Sequence, residues 1–283
     1  NGEFAWDKQE GFFRNHRMTR FVGRKDYLDP KYVNPTWGVS DEDMFARALV
    51  ELESVAQQER PFFAVLQTLS NHTPYVLPSP FPVDPVPAES GPLAEHLTAM
   101  KYSDWALGQF FEAAKQSSYY DETLFVITGD HGFGVPQQLA GIDILMFHVP
   151  LLLIGPGVRD AYGSRSSIVG TQVDIVPTIV GLLGQPFVHQ SWGRNLLALP
   201  EGDRGFGVIK PSGSDQSTAL IKGEYVLTRT PDEKFVLSTY QLYPHARGET
   251  VGDETRNKEM TKELLSYIQT AMTSLYENKT GRP

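Results

Sequence analysis

A chain of 283 residues, 40% hydrophobic and 11% aromatic, can bury a large core and reads as globular rather than disordered. Its formal charge of −9 argues against a general nucleic-acid binder, and the complete lack of cysteine excludes disulfides, zinc–thiolate and iron–sulfur sites and a cysteine nucleophile. No run approaches the roughly 18–20 consecutive apolar residues that a membrane-spanning helix needs.

In chain order, the first strong pattern lies at 40–59, where a Ser-Asp cap precedes Met44, Ala48, Leu49, Leu52 and Val55 at helical spacing. The short apolar run 61–69, PFFAVLQTL, suits a strand buried on both faces and stops at Ser70-Asn71-His72. Residues 75–87 are proline-rich and read as a surface loop. A second helix is predicted over 97–117, with Met100, Trp105, Leu107, Phe110, Phe111 and Ala114 as its apolar stripe. The strand predicted over 123–128 then ends at Gly129-Asp130-His131-Gly132. Strand, crossover helix and strand predict a parallel βαβ unit. That unit would bring His72 and the Asp130/His131 pair to one carboxyl edge of a sheet, where open α/β folds bind ligands.

Further on, 149–154 (VPLLLI) reads as a third strand and 171–183 as a helix despite Pro177. After residue 200 the pattern alternates over 207–209, 218–228 with a Lys222-Gly223 turn, and 234–243, which predicts a small antiparallel sheet. Met260, Leu264, Leu265, Ile268, Met272 and Leu275 then mark a closing helix over 255–278. The expected organisation is an α/β part over 1–200 and, over 201–283, a small antiparallel sheet with the terminal helix packed on it.

The sharpest chemical signal is LFVITGDHGF at 124–133. A carboxylate and an imidazole at a strand end are good ligands for manganese, zinc or a similar divalent ion, and the flanking glycines permit a tight turn and close approach of an ion or phosphate. Taken alone, the four residues from Gly129 serve equally well as a turn joining strand to loop. His148, which directly precedes the VPLLLI run and could face the same cavity, is read as structural or as supporting a site residue from behind, and His16, His96, His189 and His245 as solvent-exposed, since none of these four has a spaced partner.

With YSDWALGQFF at 102–111, TLSNHTPY from Thr68, HVPLLLIGPG from His148, TQVDIVPTIVGLLG from Thr171, WGRNLL from Trp192 and WGVSDEDMF from Trp37, the sequence resembles the alkaline phosphatase/sulfatase superfamily. Within it, most of residues 1–200 is similar to the lipoteichoic acid synthase and phosphoglycerol transferase group, whereas the tail matches only loosely. The resemblance implies a mixed, largely parallel sheet flanked by helices. It implies that Asp130 and His131 are ligands of one divalent metal ion, manganese first, with magnesium or zinc as alternatives. It makes His72 the histidine that contacts the phosphate or assists its leaving group, the bland reading being a loop histidine that caps backbone groups. Trp6 and Lys8, in FAWDKQEGFF, match the residues that line the headgroup pocket; a lysine stands where an arginine is expected, and a point charge is not equivalent to a planar fork. The alternative is a partly exposed tryptophan beside an ordinary surface lysine.

The resemblance also implies that a threonine nucleophile and an acidic metal ligand lie upstream of residue 1. On that reading the chain is the C-terminal part of a catalytic domain, inactive by itself. Its partners are the N-terminal part of the same protein and a phospholipid headgroup or glycerol-phosphate substrate, with no nucleic acid. Its place is the outer face of the bacterial cytoplasmic membrane or the periplasm, held by an N-terminal membrane segment. The C/S-x-P-x-R motif of formylglycine sulfatases does not occur, and 145–147 offer no equivalent of the extra histidine of two-metal phosphatases. The implied function is a metal-dependent phosphoglycerol transferase or a related phosphodiester or sulfuric ester hydrolase. A catalytically degenerate periplasmic lipid-sensing or interaction domain is the first alternative, and a phosphatase or sulfatase for a small ester the second.

Overall fold

The computed structural model of the chain describes residues 2–4, 6–80, 82–134, 138–184, 188–211 and 216–279. By compactness the chain divides into two units, Asn1–Thr123 and Leu124–Pro283, so the boundary expected near residue 200 falls inside the second. None of its described helices is long and apolar enough to cross a membrane.

The first unit carries a short exposed helix α1 (Gln9–Asn15) and a two-residue antiparallel pair, β1 (Val33–Asn34) with β2 (Gly38–Val39). Its core lies between α2 (Asp41–Ala56) and α3 (Ala94–Ala114). The start of α2 follows from sequence: the Ser40 hydroxyl oxygen accepts the Asp43 N–H, and three acidic residues in the first turn favour the positive end of the helix dipole. Met44, Phe45, Ala48 and Leu52 face Ala99, Tyr102, Ala106, Phe110 and Ala114, all buried. The alanines let the backbones approach, and the rings of Phe45 and Phe110 meet at 5.1 Å. Burying one such phenylalanine contributes about 1.5–3 kcal/mol. The buried stripe of α3 matches the expected one in part: Phe110 and Ala114 are buried, whereas Met100 is exposed and Ala99, Tyr102 and Ala106 carry the rest of the contact. Burial pushes the Tyr102 phenol up to about 12.

Residues 61–69 join no ladder among the described residues, which corrects the expected strand. Phe62 meets the Tyr119 ring edge-on at 6.1 Å, whereas Phe63 is 74% exposed and Val65 and Leu66 are exposed as well. Apolar composition says that a segment gains by burial, but it does not supply hydrogen-bonding neighbours.

In the second unit β3 (Phe125–Thr128) pairs antiparallel with β4 (Leu151–Ile154), Phe125 opposite Ile154 and Thr128 opposite Leu151, with α4 (Ile144–Phe147) between them in sequence. Among the described residues the ladders are all antiparallel, beside one isolated parallel bridge, Val169 to Gly205. Next come α5 (Val158–Tyr162) and α6 (Ile175–Leu182). Pro177 is accommodated because it falls in the first turn of α6, where backbone N–H groups have no helical partner.

The C-terminal antiparallel sheet is present as expected, with one strand more than the alternation revealed. Its order is β5 (Gly207–Ile209), β6 (Thr218–Lys222), β7 (Tyr225–Arg229), β8 (Phe235–Gln241) and β9 (Arg247–Thr250). Gly223, at φ +60°, opens the two-residue turn between β6 and β7. Period-two alternation splits the sheet's side chains. Ala219, Ile221 and Val226 pack with Leu139, Ala140, Ile142 and Ile144 on one face. Leu220, Leu227 and Leu237 pack with Met260 and Leu264 of α7 (Glu254–Tyr276) on the other. Asp253 caps α7 by accepting the Arg256 N–H at 2.9 Å.

Candidate functional site

Strand β3 delivers Gly129-Asp130-His131-Gly132 to its carboxyl end, as the sequence predicts. The Asp130 and His131 side chains are 84% and 68% exposed. The Asp130 carboxylate accepts the His131 backbone N–H at 2.9 Å, which folds the two side chains to the same side, with His131 Nε2 3.8 Å from Asp130 Oδ2. His131 Nδ1 lies 2.9 Å from the Gly132 carbonyl oxygen. A carbonyl can only accept, so Nδ1 carries the proton of this bond and Nε2 is the ring nitrogen left to ligate. An exposed carboxylate beside an imidazole with its donor nitrogen turned out is a chemically suitable pair for a divalent cation. Among the described residues no three His, Cys, Asp or Glu side chains gather as a metal cluster.

Close packing of neighbouring chain, rather than left-handed backbone, accounts for the small size of the two glycines. Neither Gly129 nor Gly132 has a positive φ; they are small because other chain segments come close. The Gly132 N–H donates to the Met146 carbonyl at 2.7 Å, and a Cβ at Gly132 would stand 2.2 Å from the Leu145 oxygen. Gly132→Ala must therefore push the 145–148 backbone away. It is expected to lower stability by about 1–3 kcal/mol, the usual cost of overpacking. A melting curve unchanged from that of the wild type would show that the loop has room.

Gln172 was not visible as a site residue in the sequence. Its side-chain amide donates to the carbonyl oxygens of Gly129 at 2.8 Å and Asp130 at 2.9 Å. The only hint was its position in the TQVD stretch beside the better-known motif.

In the first unit, His72 is exposed on a loop that leaves the apolar run 61–69. The loop is held by Asp41, which is 0% exposed. The Asp41 carboxylate accepts Leu69 N–H at 2.8 Å, Ser70 N–H at 3.1 Å and the Ser103 hydroxyl at 2.9 Å, while its own N–H donates to Ser70 Oγ at 3.0 Å. Asp41 reads in sequence as half of a helix cap; it is the buried hub joining α2, α3 and the His72 loop. His72 Nδ1 donates to the Thr73 carbonyl at 2.9 Å, again leaving Nε2 outward, and the Trp37 indole N–H donates to the same oxygen at 2.8 Å. The His72 and Trp37 ring centroids lie 3.8 Å apart, and those of Trp37 and Trp6 5.4 Å apart. The structure thus brings Trp6 and His72 into one aromatic row through Trp37, a residue not singled out by its chemistry in the sequence. Lys8 follows with left-handed backbone (φ 56°) as the residue that opens α1. Of the histidines set aside, His96 departs from expectation: it is half-buried, 5.4 Å from the Tyr75 ring, and burial pulls its pKa down.

The sulfatase family model matches residues 1–185, and the chain belongs to this family. Its fold is that of the alkaline phosphatase superfamily: a superfamily member from Vibrio parahaemolyticus superposes with a TM-score of 0.84 at 27% identity, over 100% of this chain and 65% of that one. The lipoteichoic acid synthase LtaP from Listeria monocytogenes shares the fold, with a TM-score of 0.74 at 20% identity over 96% of this chain and 68% of its own. In sequence the chain is similar to the lipoteichoic acid synthase-like protein YvgJ of Bacillus subtilis (strain 168), 26% identical over 245 residues. That match covers 81% of this chain but 38% of YvgJ, so the chain spans well under half the length of this relative.

Proposed function

We propose that the complete protein is a metal-dependent phosphoglycerol transferase of the sulfatase family, acting on a phosphatidylglycerol-type headgroup, with hydrolysis of a phosphodiester or sulfuric ester as the related outcome when water is the acceptor. The observation that supports this most is the Asp130–His131 pair at the end of β3, exposed and with Nε2 turned outward, in a chain of this family. Asp130 and His131 Nε2 would hold one divalent ion, manganese by preference. Such an ion neutralises charge on phosphoryl oxygens and lowers the pKa of a hydroxyl bound to it. The nucleophile in this reading is a threonine outside residues 1–283. Its oxygen forms a bond to phosphorus as the bond to the leaving alcohol breaks.

His72 handles the proton of that alcohol. Because Nδ1–H stays committed to the Thr73 carbonyl, Nε2 can carry the proton and release it to the departing oxygen without the ring turning. Trp6 would lay an apolar wall along the glycerol and Lys8 would offer a point charge to the phosphate. This assignment places the protein at the outer face of the bacterial cytoplasmic membrane, anchored by a membrane segment outside these residues.

The test is to incubate the full-length protein with phosphatidylglycerol and, separately, with aryl phosphate and aryl sulfate esters. Release of diacylglycerol with transfer of glycerol phosphate is expected; turnover of the aryl esters alone would overturn the proposal. In the same assay His72→Ala should lower kcat about a hundredfold, the usual size of a general acid–base effect, with manganese affinity kept. Loss of manganese affinity would make His72 a ligand instead.

A further inference from the structure

The geometry points to Gln172 as the positioning residue of the metal-binding turn, a role that rests on the reading of Asp130 and His131 as ligands. The two carbonyls that follow β3 belong to Gly129 and Asp130, and both are taken by one side chain. Because a carbonyl only accepts, the group facing them is the NH2 of Gln172, with one N–H for each oxygen. A single amide therefore clamps the backbone on both sides of the Asp130 Cα and fixes the direction in which the carboxylate leaves the chain. His131 follows, since its own N–H is bound to that carboxylate.

A clamp directs only if its base is rigid, and the base of Gln172 is tied on every side. It is the first residue of a three-residue helical turn, Gln172–Asp174. Asp174 is buried and closes the turn by accepting the Thr171 N–H at 2.7 Å. Its other oxygen accepts the Arg194 backbone N–H at 2.6 Å, and the Arg194 guanidinium returns to Asp174 at 3.2 Å. That guanidinium also donates to the Phe206 carbonyl at 2.8 Å and lies 3.8 Å over the Phe206 ring. Gly193 has no room for a side chain, since a Cβ would sit 1.8 Å from the Val173 oxygen. A partly buried ion pair and a close backbone approach thus hold the turn, and the turn holds Gln172 against the strand end. The TQVD and WGRN stretches, 20 residues apart from Asp174 to Arg194, act together on the metal-binding turn without supplying a ligand.

The variant that tests this is Gln172→Met, which keeps the length of the side chain and removes both donors. In the full-length protein it should weaken manganese binding about tenfold, the lower end of what partners beyond the ligands contribute. Amide hydrogen exchange at 129–132 should quicken while the melting temperature stays put, because Gln172 is exposed and the Asp174–Arg194 pair remains. Asp130→Ala is the reference. If it abolishes manganese binding while Gln172→Met binds and exchanges as the wild type does, the positioning role is overturned and the metal assignment stands. If Asp130→Ala binds manganese normally, the metal assignment fails and takes this role with it. A large fall in melting temperature for Gln172→Met, with exchange quickened throughout the second unit, would show ordinary scaffolding and overturn the inference as well.

Discussion

Replacing Asp130 or His131 by alanine in the full-length protein is expected to abolish turnover and divalent-ion binding together, with no loss of thermal stability. Each substitution removes a donor from a small set, and a Lewis acid at a phosphoryl group is worth several kcal/mol of transition-state charge stabilisation. Since each 1.36 kcal/mol is a tenfold change in rate, a loss of about 4 kcal/mol corresponds to about a thousandfold. Stability should not follow, because both side chains are mostly exposed and, among the described residues, bond within their own turn. Calorimetric titration with manganese beside a diester assay decides the matter. Retention of wild-type rate and affinity in either variant would remove that residue from the site.

Asp41→Ala is expected to act in the opposite way, through the fold. The residue is fully buried, and its carboxylate satisfies the buried Ser70 N–H together with the partly buried Leu69 N–H and Ser103 hydroxyl. Leaving a buried donor unpaired costs about 1–3 kcal/mol, and the Ser70 N–H is such a donor, so a destabilisation of about 1–3 kcal/mol follows, with a smaller addition from the two partly buried donors. Asp41→Asn keeps one carbonyl oxygen for the two backbone donors, and Ser103 can rotate to accept from the new amide, so this variant should lose much less. Denaturant melts of the two variants separate these cases. Equal, small losses would mean that the Asp41 hub contributes little. His72 should follow Asp41: the loop that carries the imidazole loses its carboxylate ties and keeps the bond from the residue 41 N–H to Ser70 Oγ, so its hold on α2 and α3 is weakened.

The parts of this chain that were legible in its sequence are those fixed by local chemistry. The Ser40 cap announced α2 within a residue, the turn at Gly223 announced the β6–β7 hairpin, and Gly-Asp-His-Gly announced the end of β3. What local pattern missed was set by partners distant in the chain. The run 61–69 has the composition of a buried strand, yet a ladder depends on a neighbour that composition does not name. The glycines at 129 and 132 looked like turn formers, and their need for small size comes from Val149 and Leu145 pressing against them. Asp41 and Gln172 were invisible as hubs, because a carboxylate in a first helical turn and an amide near a helix start are ordinary surface choices until the strand or loop they hold is in place.

The uncharged stretch that begins at Pro61 has a colloidal consequence. From Arg60 no Asp, Glu, Lys or Arg occurs until Asp84, and the first part of that span, with Phe63, Val65 and Leu66 open to solvent, has the β-propensity and low charge of a self-associating segment. Charge guards one flank, at Glu59 and Arg60, and proline guards the other, at 74, 78, 80 and 82. Both kinds of residue act as gatekeepers, one by repulsion and the other by lacking the N–H that a growing ladder requires. Between them lie about a dozen residues with no such brake, so the concentration at which preparations of these residues remain dispersed is governed by this short stretch rather than by the net charge of −9 carried by the whole chain.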